Sequence, residues 1–296
     1  MSESGVVARR AGLVALGTLA SRVLGMVRDA VVAAAYPVAA TDAFWIAFTI
    51  PNTLRTLLGE GAVSNAFIPV FSEVRGRQGE AAARSFLARF AGALGGLLLL
   101  ACLAGMLTAP LLSWAYAGGL AQNDPPRFAL VVELTRWLFP FLGLAGLGAL
   151  ATGVLNVLGR FTLPAFAPAL FNVAMIVAPF TLVPVSGALG LEPIGALVVG
   201  ALLGGVLQIV VQLGPLRRGG MLPRPELRLG DPEVRQALAL MGPLVLGLGV
   251  YQLNMLLSRL FASFLPEGSP SYLNYGMRVI EVPQGMFALA LASAAL

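Results

Sequence analysis

The sequence predicts an all-α, polytopic membrane helix bundle, and three observations predict it. Of 296 residues, 58% are hydrophobic and only 11% are charged, with a mean hydropathy of +0.86. A soluble domain carries about a quarter charged residues. Apolar runs of about 18 residues or more recur along the whole length, each long enough to cross a bilayer as a helix. All 19 basic residues are arginine, with neither lysine nor histidine, and they gather between alternate runs, the bias that orients membrane proteins.

The same counts exclude several functions. Without histidine there is no catalytic triad of the usual kind, no His-based metal site and no His proton relay. Cys102 is the one cysteine, so no disulfide closes within the chain, and its apolar surroundings suit packing. A sequence pI of 10.1 raises nucleic acid as a partner. The arginines stand at span ends and inside spans, however, not on one soluble face, and that partner is discarded. No metal, cofactor or enzymatic group is expected.

Taken in order, the first run covers 11–35. Arg9 and Arg10 ahead of an apolar stretch imitate a signal peptide, but the helix continues through Arg22 and Arg28. The second run, 42–70, should kink at Pro51 and ends at Pro69, followed by a polar segment at 72–84. The third covers 86–116 and the fourth 128–158, where Glu133 and Arg136 can pair on one helix face. The fifth covers 163–183 and the sixth 194–213, where Gly200 and Gly204 permit close helix contact. A polar loop, 214–230, separates these six from a second group starting at 231. Asp231-Pro232-Glu233 has an N-cap aspartate, a proline in first position and an acid in the first turn, which together start a helix. That seventh run, 232–265, carries Gln252, Asn254 and Arg259; the eighth, 271–296, carries Arg278 and Glu281. Residues 1–229 thus form one unit and 231–296 the opening of another.

Arg9 and Arg10, then Arg75, Arg77, Arg84 and Arg89, then Arg160, then Arg217, Arg218, Arg224, Arg228 and Arg235 all fall on one side. The opposite loops hold Arg127 alone, so the N-terminus is expected in the cytoplasm.

The chain is organised around Ser21-Arg-Val-Leu-Gly-Met-Val-Arg-Asp29. An arginine at the middle of a membrane helix costs roughly 2.5–3.5 kcal/mol on insertion scales. Arg22 and Arg28 in the first run and Arg55 in the second therefore point to a water-filled cationic cavity rather than to lipid-facing helices. The competing reading is a set of snorkelling or ion-paired structural arginines. Arg22 and Arg28 lie six residues apart on α-helical geometry, so they share a wall only if Gly25 bends the helix. A short echo, Ser21-Arg22-Val23-Leu24 and Ser258-Arg259-Leu260-Phe261, suits the internal repeats common in secondary transporters.

Ser21 to Asp29, then Ala40-Thr-Asp-Ala-Phe44, Pro51-Asn-Thr-Leu-Arg55 and Gly59-Glu-Gly-Ala-Val-Ser64, closely resemble the start of the MurJ (MviN) lipid II flippases. The resemblance continues through Leu155-Asn156, Arg160-Phe161, Pro164-Ala-Phe-Ala-Pro168, Asn172, Met241-Gly242-Pro243, Ala262-Ser-Phe-Leu265, Gly268-Ser269, Arg278 and Pro283. It implies the multidrug/oligosaccharidyl-lipid/polysaccharide exporter fold, with fourteen spans in two lobes around a central cavity. About eight spans are present here, which implies a fragment holding the first lobe and the start of the second. It implies that Arg22, Arg28, Arg55 and Arg278 bind substrate, and that Asp29, Asp42, Asn52, Glu60, Ser271 and Glu281 belong to the cavity or its gates. The implied activity moves lipid II, a polyprenyl-diphosphate-linked disaccharide-peptide, across the bacterial cytoplasmic membrane by alternating access, as a monomer and among membrane lipids. One departure is Tyr275-Gly276-Met277-Arg278, where the family commonly has an aspartate before the arginine; Arg278 thereby lacks an adjacent acid.

Two rivals remain from the residues. Another exporter of the same fold, for drugs or other lipid-linked oligosaccharides, should rely on buried acids if its cargo is cationic, whereas arginines dominate here. A membrane enzyme acting on polyprenyl phosphates would need clustered acids for Mg²⁺, and no such pair occurs.

Overall fold

The apolar runs fold as helices because a backbone in lipid must satisfy its own hydrogen bonds. The computed structural model describes residues 3–57, 66–187, 192–228 and 230–294, and among these there are ten helices and no strand. They are α1 (Glu3–Ala35), α2 (Val38–Arg55), α3 (Ile68–Leu107), α4 (Ala109–Asn123), α5 (Pro125–Leu138), α6 (Pro140–Val157), α7 (Thr162–Ser186), α8 (Gly195–Arg218), α9 (Pro232–Ala262) and α10 (Ser269–Ala294).

Four boundaries differ from those expected. Pro69 does not close the second run; it sits in the first turn of α3, where a missing N–H leaves nothing unpaired. The polar segment 72–84 is helical on both sides of Gly79, whose φ of 85° breaks α3. One face of that segment buries Val74 and Ala83, in line with buried Phe71 just before it, and Glu73 pairs with Arg77 one turn on, so a charged stretch folds as a solvated amphipathic helix. The third run is divided at Thr108 and the fourth at Phe139, each time with a proline opening the next helix. As read from the sequence, Asp231 caps α9, accepting from the Val234 amide at 3.2 Å.

Among the described residues, four stretches are long and apolar enough to cross a membrane by length and composition: Ile68–Leu107, Pro125–Val157, Thr162–Ser186 and Gly195–Arg218. Helices α1, α2, α9 and α10 carry the arginines discussed above. Helix α7 packs against α1 on one side and α8 on the other, α2 lies on α5, and α10 rests on α1 and α2. Close α7–α8 contact depends on small residues: a Cβ on Gly200 would meet the Ala178 side chain at 2.8 Å, and one on Gly204 the Phe171 Cα at 2.9 Å.

The bundle has two distinct ends. At the first, the segment between α9 and α10 meets α2 and α4; this is the hairpin end. At the other, the segment after α8 crosses α3 as a strap. The Glu226 amide donates to the Ala88 carbonyl at 2.9 Å, Gly92 lies directly against the Glu226 backbone, and Arg89 pairs with Asp231.

Candidate functional site

Helices α1, α2, α7, α9 and α10 enclose a cavity of about 1030 Å³ whose wall carries Arg22, Arg28, Arg55, Arg259 and Arg278. Aromatic and polar side chains fill the intervals, among them Trp45, Phe48, Asn52, Phe171 and Asn172. Arg28 is 4% exposed and tightly held. Its Nε and Nη2 donate to Asp29 Oδ1 at 2.8 and 2.6 Å, and its Nη1 donates to Asn172 Oδ1 at 3.1 Å. The guanidinium also lies 5.3 Å over the Trp45 ring. Asn172 is fixed in turn, donating to the Ser21 carbonyl at 2.9 Å, so α7 orients an arginine of α1.

Asp29 bridges two cations. Its Oδ2 accepts from Arg278 Nε at 3.2 Å, so Arg278 does have an acidic partner, supplied by α1 instead of by its own helix. Arg55 Nε donates to Asn52 Oδ1 at 2.9 Å, one turn back on α2. Arg22 and Arg28 both line the cavity on an unbroken α1, so no bend at Gly25 is required: six residues leave them about 120° apart, and the cavity wraps that much of the helix.

Asp42 and Ser271 do not line the cavity; both are buried, at 1% exposure, where α2 meets the start of α10. Asp42 Oδ2 accepts from the Gly268 amide at 2.7 Å, and Oδ1 accepts from the Ser271 amide at 3.0 Å and its hydroxyl at 2.6 Å. Gly268 has φ +96°, a left-handed conformation that glycine adopts without penalty and that turns its N–H toward Asp42. Around this latch the Trp45 indole donates to the Tyr275 hydroxyl at 3.3 Å, the Gly119 amide donates to Ser263 Oγ at 3.0 Å, and Arg127 pairs with Glu267 at 2.5 Å. Glu60 lies outside the described residues. Glu281 is on α10, and its side chain also lies outside them.

Sequence reasoning singled out Arg22, Arg28, Arg55 and Arg278 but not Arg259 as a site residue. Its signal was of the same kind, an arginine within an apolar helix. Asn172 and Trp45 were less legible, since nothing local shows that they meet Arg28. Among the described residues no cluster of His, Cys, Asp or Glu could hold a metal ion.

Fold and site together define a multi-pass membrane protein built around an arginine-lined internal cavity, the architecture of membrane transporters. Residues 36–296 match the family described as lipid II flippase MurJ. The chain is 38% identical over 281 residues to the lipid II flippase MurJ of Burkholderia cenocepacia, covering 93% of this chain and 54% of that protein. It is 37% identical to the probable lipid II flippase MurJ of Haemophilus influenzae, over 93% of this chain and 55% of the relative. A solved structure of lipid II flippase MurJ in an inward closed conformation superposes with a TM-score of 0.71 at 25% identity, covering 93% of this chain and 56% of that one. The chain belongs to the MurJ lipid II flippase family. It spans about half the length of the curated relatives it matches.

Proposed function

We propose that this chain carries the arginine-lined part of a lipid II flippase, which moves a polyprenyl-diphosphate-linked disaccharide-peptide from the inner to the outer leaflet of the bacterial cytoplasmic membrane. The observation that carries the reading is five arginines on one cavity wall, two of which, Arg28 and Arg278, share Asp29. Guanidinium groups in a low-dielectric cavity bind a diphosphate through charge-assisted, bidentate hydrogen bonds. Arg22, Arg28, Arg55 and Arg278 are assigned to that group, while the tail stays in lipid; no bond is made or broken, so the protein acts as a transporter and not as an enzyme. Residues 1–229 form the first lobe and 231–296 the start of the second. The arginine bias supports a strap end and N-terminus in the cytoplasm, with the hairpin end outside. Asp42, Ser271 and Thr41 then form the outer gate, whose opening alternates access, with Asn52 beside Arg55 on the inner side.

The deciding experiment replaces Arg28 and Arg55 with lysine, which keeps the charge and loses the planar fork. In cells that depend on the gene encoding this chain, both variants should lose function at normal membrane levels. Full growth of Arg28→Ala and Arg55→Ala at normal levels would overturn the reading. Cysteines placed at 75–84 and 217–228 should be labelled only from the cytoplasm; labelling from outside intact cells overturns the orientation.

A further inference from the structure

Arg259 differs from Arg28 and Arg278, which share Asp29, in its bonding. It is 3% exposed, its Nη1 donates to the Pro270 carbonyl at 2.7 Å, and its Nη2 donates to Asn274 Oδ1 at 3.0 Å. Its Nε is buried with no acceptor, and so is Asn274 Nδ2. Buried donors without a partner are few in native proteins, and two of the three such side-chain atoms among the described residues belong to this one pair. Asn274 has given its carbonyl to Arg259, which leaves its amide nitrogen as a pure donor. The oxygens of Asp42 are occupied by Gly268 and Ser271.

We propose that Arg259 and Asn274 form a second oxyanion site, nearer the hairpin end than Arg28 and Arg278, that takes a phosphate oxygen of the cargo when that end opens. Both residues lie on the cavity wall. Arg259 stands three residues before the end of α9, about 5 Å, whereas Arg278 stands nine residues into α10, about 14 Å. A guanidinium with an adjacent amide donor, and no bonded carboxylate, fits an anionic oxygen. The acceptor that occupies Arg259 now, the Pro270 carbonyl, is in the same first turn of α10 as Ser271, which Asp42 holds. Closing the outer latch therefore masks this site, and releasing it frees the guanidinium. The arginines become a series of rungs, with Arg259 the last before release.

This proposal rests on the reading of the cavity as the path of a diphosphate-linked lipid, and the test separates the two. The full chain is assayed in cells for precursor that becomes accessible outside, and in nanodiscs for binding of inorganic diphosphate and for thermal stability. Asn274→Asp keeps the contact with Arg259 and strengthens it, while cancelling the charge the site offers. Its expected result is an outward movement reduced about ten-fold, the size of one lost charge-assisted hydrogen bond, with diphosphate binding retained and stability unchanged or raised. Arg259→Leu should show the same transport loss. Outward movement at the wild-type rate in Asn274→Asp refutes the site and leaves Arg259 a strut between α9 and α10. A fall in membrane level of Asn274→Asp also counts against it, because the geometry predicts a firmer contact. If the wild-type chain neither binds diphosphate nor moves the precursor, the flippase reading fails and this site falls with it.

Discussion

Two groups of helices make up this molecule, and they satisfy the membrane in opposite ways. Helices α3, α7 and α8, with the α5–α6 rod, are long and apolar enough to span by composition. They present side chains such as Leu100, Leu107 and Phe180 outward and meet one another through small residues. Helices α1, α2, α9 and α10 carry Arg22, Arg28, Arg55, Arg259 and Arg278 and turn them inward onto one cavity. Arginine inside an apolar helix here marks the wall of a cavity within the protein. The apolar group is held by packing, and the polar group by directed bonds between helices far apart in sequence.

That difference can be broken most sharply at Asp29. Asp29→Ala removes the carboxylate that Arg28 and Arg278 share from a buried ion pair, a loss of about 3–5 kcal/mol. Thermal unfolding of the purified protein should register it, and Asp29→Asn should recover part of the loss through hydrogen bonding. An unchanged melting temperature for Asp29→Ala would mean that the polar group does not depend on its ion pairs.

Asp42→Ala should act on stability to a similar extent and on access besides. It leaves the buried amides of Gly268 and Ser271 without their acceptor, at about 1–3 kcal/mol for each unsatisfied group. A cysteine at Thr41, buried in the parent, should be labelled faster in the Asp42→Ala background. Equal labelling rates would show that the latch does not hold the hairpin end shut.

The smallest effects belong to the apolar group. Gly204→Ala forces a Cβ against the Phe171 backbone and should cost about 1–3 kcal/mol by overpacking, while Leu100→Ala, at a side chain 67% exposed, should stay within about 0.5 kcal/mol. The same pair of melts sharpens the comparison: a larger loss at Leu100 than at Gly204 would show that its outward face is covered by protein.

Much of this was legible because the relevant patterns are local. The cap at Asp231, the close contact at Gly200 and Gly204, and the anomaly of arginine in an apolar run each depend on residues within a turn or two. The misplaced boundaries at Pro69 and at 72–84 have a shared cause. Proline and charge are equally compatible with ending a helix and with starting or solvating one, and only burial of Phe71 and Val74 on the other face decides. Arg259 shows a different limit. Its type was visible, but its cavity position was not, since an arginine near a helix end also suits snorkelling.

The sequence alone gives the class: an all-helical chain that spans a membrane several times and carries too many arginines inside its apolar runs to be only a lipid-facing bundle. Hydropathy and helical periodicity are properties of neighbouring residues, so no tertiary information is needed to read them. Tertiary structure alone decided who partners whom. Asp29 reaches Arg278 across 249 positions, Asn172 reaches Arg28 across 144, and Asp42 reaches Ser271 across 229. A charge in a low-dielectric interior is stable only where partner and water are supplied in three dimensions, and no pattern along one helix specifies which distant helix supplies them.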